Sequence, residues 1–221
     1  MIARLVGSEM CIRDRAIYIT HAHIGHYTGL MYFGREALGS KNLLVKVLPK
    51  MSNFLKTNGP WNQLVNLNNI QIQNTDFDES YLELNNIHVT PIKVPHRDEY
   101  SETAGYIITG KNKKALFIPD IDKWEKWDKK LIDLAKDFDY LLLDATFYNS
   151  KEISRDISEI PHPLVSETIN LLDSLSKENK RKVYFIHMNH TNPMLDPNSD
   201  LSKSIIMQGF NIARLGQKLY L

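Results

Sequence analysis

A chain of 221 residues with 43% hydrophobic side chains can bury one core of fair size, and its formal net charge of +1 argues against a nucleic-acid footprint or a polybasic membrane surface. No apolar run approaches the roughly 18 residues of a membrane span. The single cysteine, Cys11, excludes an internal disulfide and a thiolate metal cluster and suits a reducing compartment.

Met1 to Arg15 (MIARLVGSEMCIRDR) lacks the continuous apolar stretch and the small-residue cleavage site of a secretory signal. Its VGSEMCIRDR string resembles translated sequencing-adapter read-through. The expectation is a foreign or disordered arm over 1–15 and a partial domain over 16–221, cut off upstream. Ala16 to Ile19 reads as a short buried strand, followed by Thr20-His21-Ala22-His23-Ile24-Gly25-His26. Three of the eight histidines fall between His21 and His26. Strand alternation would point His21 and His23 to one side, with His26 swinging in past a glycine turn. Three imidazoles on one point suit zinc, iron or manganese.

Downstream, Thr28 to Gly39 reads as a helix and Leu43 to Leu48 as a strand. Met51 to Leu55 and Trp61 to Val65 read as short helical turns. Ile70 to Gln73, Tyr81 to Leu84 and Ile87 to Val94 follow as strands, with His88 a sheet residue only. Ala104 to Thr109 and Ala115 to Ile118 form an expected hairpin around Gly110-Lys111-Asn112-Lys113. Lys123 to Lys136 reads as an amphipathic helix carrying Trp124, Trp127, Leu131, Leu134 and Ala135. Tyr140 to Leu143 is an apolar strand, and Pro163 opens a helix to about Lys177. Lys182 to Ile186 is a buried strand. A helix near Leu201 to Met207 and a last strand toward Tyr220 close a mixed α/β chain.

Four strands end on a chemically useful residue: Val94-Pro95-His96, Ile118-Pro119-Asp120, Leu143-Asp144 and Ile186-His187. Strand ends collect along one sheet edge, where ligands and metals gather in layered α/β folds. Each residue alone is more often a turn or capping residue. Their joint occurrence with the three-histidine cluster is what points to a site.

The ordered series THAHIGHYTGL, PHRDEYSETAGY, FIPDID, LLLDATF, a His-Pro before a helix, and FIHMNHTNP resembles the metallo-β-lactamase fold superfamily. Within it the series is similar to the branch containing pyrroloquinoline quinone biosynthesis protein B. The resemblance covers about Ala16 to Leu221 and implies an αββα sandwich, here incomplete at its N-terminus. It implies a first metal site of His21, His23 and His96, a bridging Asp120, and a second site of His26 and His187, with His190 competing for the role of His187. His162 matches a position beside the metal, and Asp144 would orient a ligand imidazole. Gly25 stands where the superfamily carries an aspartate that binds the second metal and orients water. One well-held ion and a partial or absent second one are therefore expected.

The leading expectation is a metal-dependent hydrolase acting on an ester, phosphodiester or lactam-type bond of a small molecule. Zinc is the first choice of ion, with iron or manganese as alternatives. Asp120 would position water, and His162 or His190 would act on the oxyanion or leaving group. The second reading, which the resemblance to that branch implies, is an iron-dependent oxidative enzyme, and a non-catalytic metal-binding protein or inactive fragment is the third. Loops around Asn53 to Gln63 and Tyr148 to Ile160 would shape the pocket. No sequence-specific nucleic-acid or membrane partner is expected, and the default location is cytoplasmic unless an export signal precedes Met1.

Overall fold

The computed structural model describes residues 16–152, 156 and 159–221, so the expectation for 1–15 lies outside the described residues. The chain divides into two compact units, the first comprising the chain to Glu79 with Pro91–Lys93 and Asp98–Ala104, the second the remainder.

In the first unit, strands β1 (Ala16–Tyr18), β2 (Leu43–Val47) and β3 (Ile70–Asn74) form an all-parallel sheet with β2 in the middle. Parallel neighbours need crossovers. Helix α1 (Ile24–Tyr27) and a 3-10 turn over Thr28–Phe33 lie between β1 and β2, and α2 (Pro49–Thr57) and α3 (Trp61–Asn66) lie between β2 and β3. Val45, Val47, Met51, Leu55 and Ile70 make a core with Ile19, Ala22, Tyr27 and Leu30 from the histidine segment. Tyr27 stacks edge-on against Trp61 and Phe54, with centroids 4.9 and 5.3 Å away. The segment carrying the histidines is thus anchored from both flanks by buried apolar side chains.

The second unit carries the bulk of a seven-stranded sheet of β4 (Tyr81–Leu82), β5 (His88–Lys93), β6 (Ala104–Thr109), β7 (Lys114–Ile118), β8 (Tyr140–Asp144), β9 (Val183–Ile186) and β10 (Asn211–Ile212). The strands lie in the reverse of chain order, β10 to β4. The expected β6–β7 hairpin is present and antiparallel, while β7, β8, β9 and β10 run parallel. Strands buried on both faces read as continuous apolar runs, and Leu116, Leu141, Leu143, Val183 and Phe185 are all fully buried. Helices α4 (Leu131–Asp137), α5 (Val165–Leu171), α6 (Lys177–Lys180) and α7 (Asp200–Met207) fill the connections.

Several expected elements are shorter. The helix expected over Lys123–Lys136 is a 3-10 turn at Trp124–Lys126 followed separately by α4. Trp124 and Trp127 are three residues apart, a spacing that a 3-10 turn serves as well as an α-helix. The indole N–H of Trp124 donates to the buried Thr168 hydroxyl at 2.8 Å, which fixes the turn. The Thr28–Gly39 helix reduces to the 3-10 turn and a following turn, because the chain turns out of it at Gly34. Pro163 precedes α5 rather than opening it, and the last strand is only Asn211–Ile212, with Tyr220 exposed. Among the described residues no helix is long and apolar enough to cross a membrane.

Leu143 sits opposite Ile118 on one side and Phe185 on the other, with no exposed surface. Leu143→Ala should destabilise the chain by about 2–5 kcal/mol in urea unfolding, the range for cavities in cores.

Candidate functional site

In the first unit the chain leaves β1 at Tyr18, so His21 and His23 occupy the loop after the strand instead of alternating along it. Their side chains nevertheless meet. The rings of His21 and His23 are 4.4 Å apart and nearly perpendicular, and those of His21 and His26 are 4.3 Å apart. The Thr20 hydroxyl lies 3.0 Å from Nδ1 of the buried His21. His23 occupies the position before α1 and has its Nε2 2.9 Å from a Glu99 carboxylate oxygen. Gly25, within α1, is exposed, and a Cβ built there meets nothing within 4 Å.

In the second unit the parallel register pairs Ile118 with Leu143 and Asp144 with Ile186. The ends of β7, β8 and β9 therefore fall on one edge of the sheet, which delivers Asp120, Asp144 and His187 together. Asp120 and Asp144 are both buried, with 3% and 0% exposure. Nε2 of His96 lies 3.4 Å from Asp120, and Nδ1 of His162 lies 3.1 Å from Asp120 and 2.8 Å from Asp144. The donor atoms of Asp120, Asp144 and His162 all fall within 4.8 Å of one another.

Asp144 organises these groups. One oxygen accepts from the Thr146 N–H (2.8 Å) and the Thr146 hydroxyl (2.6 Å), the other from His162 and from the Ile121 N–H at 3.3 Å. Because the Thr146 hydroxyl proton is given to Asp144, its oxygen accepts from Nδ1 of His187 at 2.9 Å. That assigns the His187 proton to Nδ1 and leaves Nε2 as a donor atom, a familiar outer-shell arrangement for metal-ligating histidine. His187 also has φ of +61°, the left-handed region that costs a non-glycine residue of order 1–3 kcal/mol.

Burial alone would raise the Asp144 carboxyl and depress the His162 imidazole. The His162 and His187 imidazoles reverse the first effect and hold Asp144 below its ordinary value. Hydrogen bonds to Asp120 and Asp144 reverse the second and push His162 up to about 10. Two buried carboxylates among neutral-capable imidazoles form a donor set that fits a divalent cation, since buried negative charge is costly without a compensating one.

The second unit favours His187 over His190 as the inward-facing histidine. His190 is exposed, with Nδ1 3.1 Å from its neighbour Asn189. His88 is exposed at the start of β5, beside the Ser80 hydroxyl. Sequence reasoning missed Thr146, Thr20 and Glu99. A hydroxyl two residues past the Asp144 strand end was the only local signal for Thr146, and the other two carried none. The expected pocket loop from Asn53 to Gln63 supplies Asn53, Phe54 and Asn58 to a cavity of about 560 Å3 in the first unit, which Glu99 and Tyr100 also line. Part of the other expected pocket loop, 153–155 and 157–158, lies outside the described residues.

Residues 13–188 match the Beta-lactamase superfamily domain. The chain belongs to this family. The expected superfamily, and its mixed α/β metallo-β-lactamase fold, are thereby established. Within the superfamily, the chain is similar to coenzyme PQQ synthesis protein B. The protein of that name from Pseudomonas syringae pv. tomato is 25% identical over 93% of this chain and 73% of its own length. The one from Pseudomonas putida is 28% identical over 42% of this chain and 33% of its own length. A Zn(2+)-bound crystal structure of PqqB from Methylobacterium extorquens superposes with a TM-score of 0.76 at 19% identity, covering 94% of this chain and 73% of that one.

The raised value for His162 has a sign that can be tested. Its charged form stabilises the metal-free chain fully below about 6.5, and that contribution disappears as pH climbs through about 10. Urea midpoints of metal-free protein should therefore fall across this window, and Asp144→Asn should flatten the slope.

Proposed function

We propose that this chain is a metal-dependent hydrolase of the metallo-β-lactamase superfamily. The reading is carried by the buried Asp120 carboxylate, flanked by His96 and His162 at the edge where three parallel strands end. Following the motif order of the superfamily, His21, His23 and His96 with Asp120 are the ligands of one divalent ion, zinc first. His26, His187 and Asp120 are the ligands of a weaker second ion. A bound ion of this kind lowers the pKa of water to near neutral and polarises the bond to be cleaved.

The chain's own residues supply the rest. Asp144 holds His162 by its Nδ1 and, through Thr146, orients His187. His162, as a cation in the metal-free chain, is suited to stabilise an oxyanion or to protonate a leaving group. His190, exposed and turned to Asn189, is the weaker choice for that role. The cavity bounded by Phe54 and Tyr100 has room for a small-molecule substrate.

A second reading, an iron-dependent oxidative enzyme acting in coenzyme PQQ synthesis, is favoured by one residue. Gly25 removes the carboxylate that would orient water for hydrolysis, and histidine with carboxylate suits iron(II) as well as zinc. Zinc or manganese by elemental analysis, at about two ions per chain, would support binuclear hydrolysis. About one iron per chain with oxygen consumption would support the oxidative reading. A metal-free chain that takes up none of these ions would overturn both.

His23→Ala and His96→Ala should each remove most of the bound metal. The open space at Gly25 accepts an aspartate, so Gly25→Asp should raise occupancy of the second site in the same elemental analysis.

A further inference from the structure

Within the first unit, the segment Asp98–Ala104 runs as a strap beside the segment Thr20–His23. Ala104 donates its N–H to the Thr20 carbonyl at 2.9 Å, and Ser101 accepts the Ala22 N–H on its hydroxyl oxygen at 2.8 Å. Glu99 reaches Nε2 of His23 at 2.9 Å. Three residues of the strap thus hold three of the four residues from Thr20 to His23. The strap is itself anchored: Ser101, Thr103 and Ala104 are buried, and the Thr103 hydroxyl donates to Asp98 at 2.8 Å. The Glu102 carboxylate accepts the Lys50 N–H in the first turn of α2 at 3.1 Å.

We propose that Glu99 is a positioning residue whose carboxylate keeps the proton of His23 on Nε2 and so leaves Nδ1 as the donor atom of that ring. This rests on the reading of His23 as a metal ligand. An exposed ion pair contributes little to stability, and Glu99 is half exposed, so its role is orientation rather than folding energy. A neutral imidazole has one protonated nitrogen, and whichever nitrogen meets an acceptor carries the proton. In His21 it is Nδ1 that has a close polar neighbour, the Thr20 hydroxyl at 3.0 Å, which can donate or accept. The two rings lie 4.4 Å apart and nearly perpendicular, so different nitrogens of each can face a common point.

The test is nitrogen NMR of the imidazole rings in the metal-free full chain, in mildly alkaline buffer, paired with zinc affinity from chelator competition. The native chain should show His23 as the Nε2–H tautomer. Glu99→Ala should give a tautomer mixture and bind zinc about 10–100-fold more weakly, the usual cost of losing an outer-shell partner. Glu99→Gln keeps an accepting oxygen and should retain the Nε2–H tautomer and most of the affinity, which also guards against misfolding of the alanine variant. A native His23 protonated on Nδ1, or an unchanged tautomer in Glu99→Ala, would overturn the proposal. If the native chain bound no zinc, the choice of zinc as its ion would fall, while the tautomer measurement would still judge Glu99.

Discussion

A carboxylate with no exposed surface must be matched by donors, and the second unit is arranged around meeting that demand at Asp144. Its donors are Ile121 from the loop after β7, Thr146 from the loop after β8, and His162 from the segment before α5. Each buried hydrogen bond to a charged group contributes roughly 1.5–3 kcal/mol, and leaving such a group unsatisfied costs more. Satisfying Asp144 therefore fixes three loops at once. The geometry of Asp120, His162 and His187 follows from this one requirement.

Much of that arrangement was legible in the sequence because it depends on a local signal. An apolar run that stops abruptly on His or Asp marks a strand end, and His96, Asp120, Asp144 and His187 all carry the mark. Parallel register then does the rest, since it aligns the ends of β7, β8 and β9 without further information. Helix extents were less legible. Apolar spacing over Lys123–Lys136 fits a helix, but Trp124 is held by a hydrogen bond to Thr168, 44 positions away. No window along the chain contains that partner.

Glu99 was invisible for the same reason. It meets His23 across 76 positions, and neither residue's neighbours announce the pairing. Thr146 lay in plain view as an unremarkable hydroxyl, and only its donating to Asp144 while accepting from Nδ1 of His187 gives it meaning. The histidine segment shows a further lesson. His21 and His23 meet as expected, yet by a loop that follows the strand, so the right juxtaposition came from the wrong local geometry.

The left-handed backbone at His187 places stability and chemistry in opposition. Glycine is the one residue for which that conformation carries no steric penalty, and glycine offers no imidazole. A library of variants at this position ranked by thermal resistance alone would drift toward glycine and away from the imidazole. Histidine there carries a standing steric cost, so selection for endurance alone and selection for an imidazole at the end of β9 would part at this position.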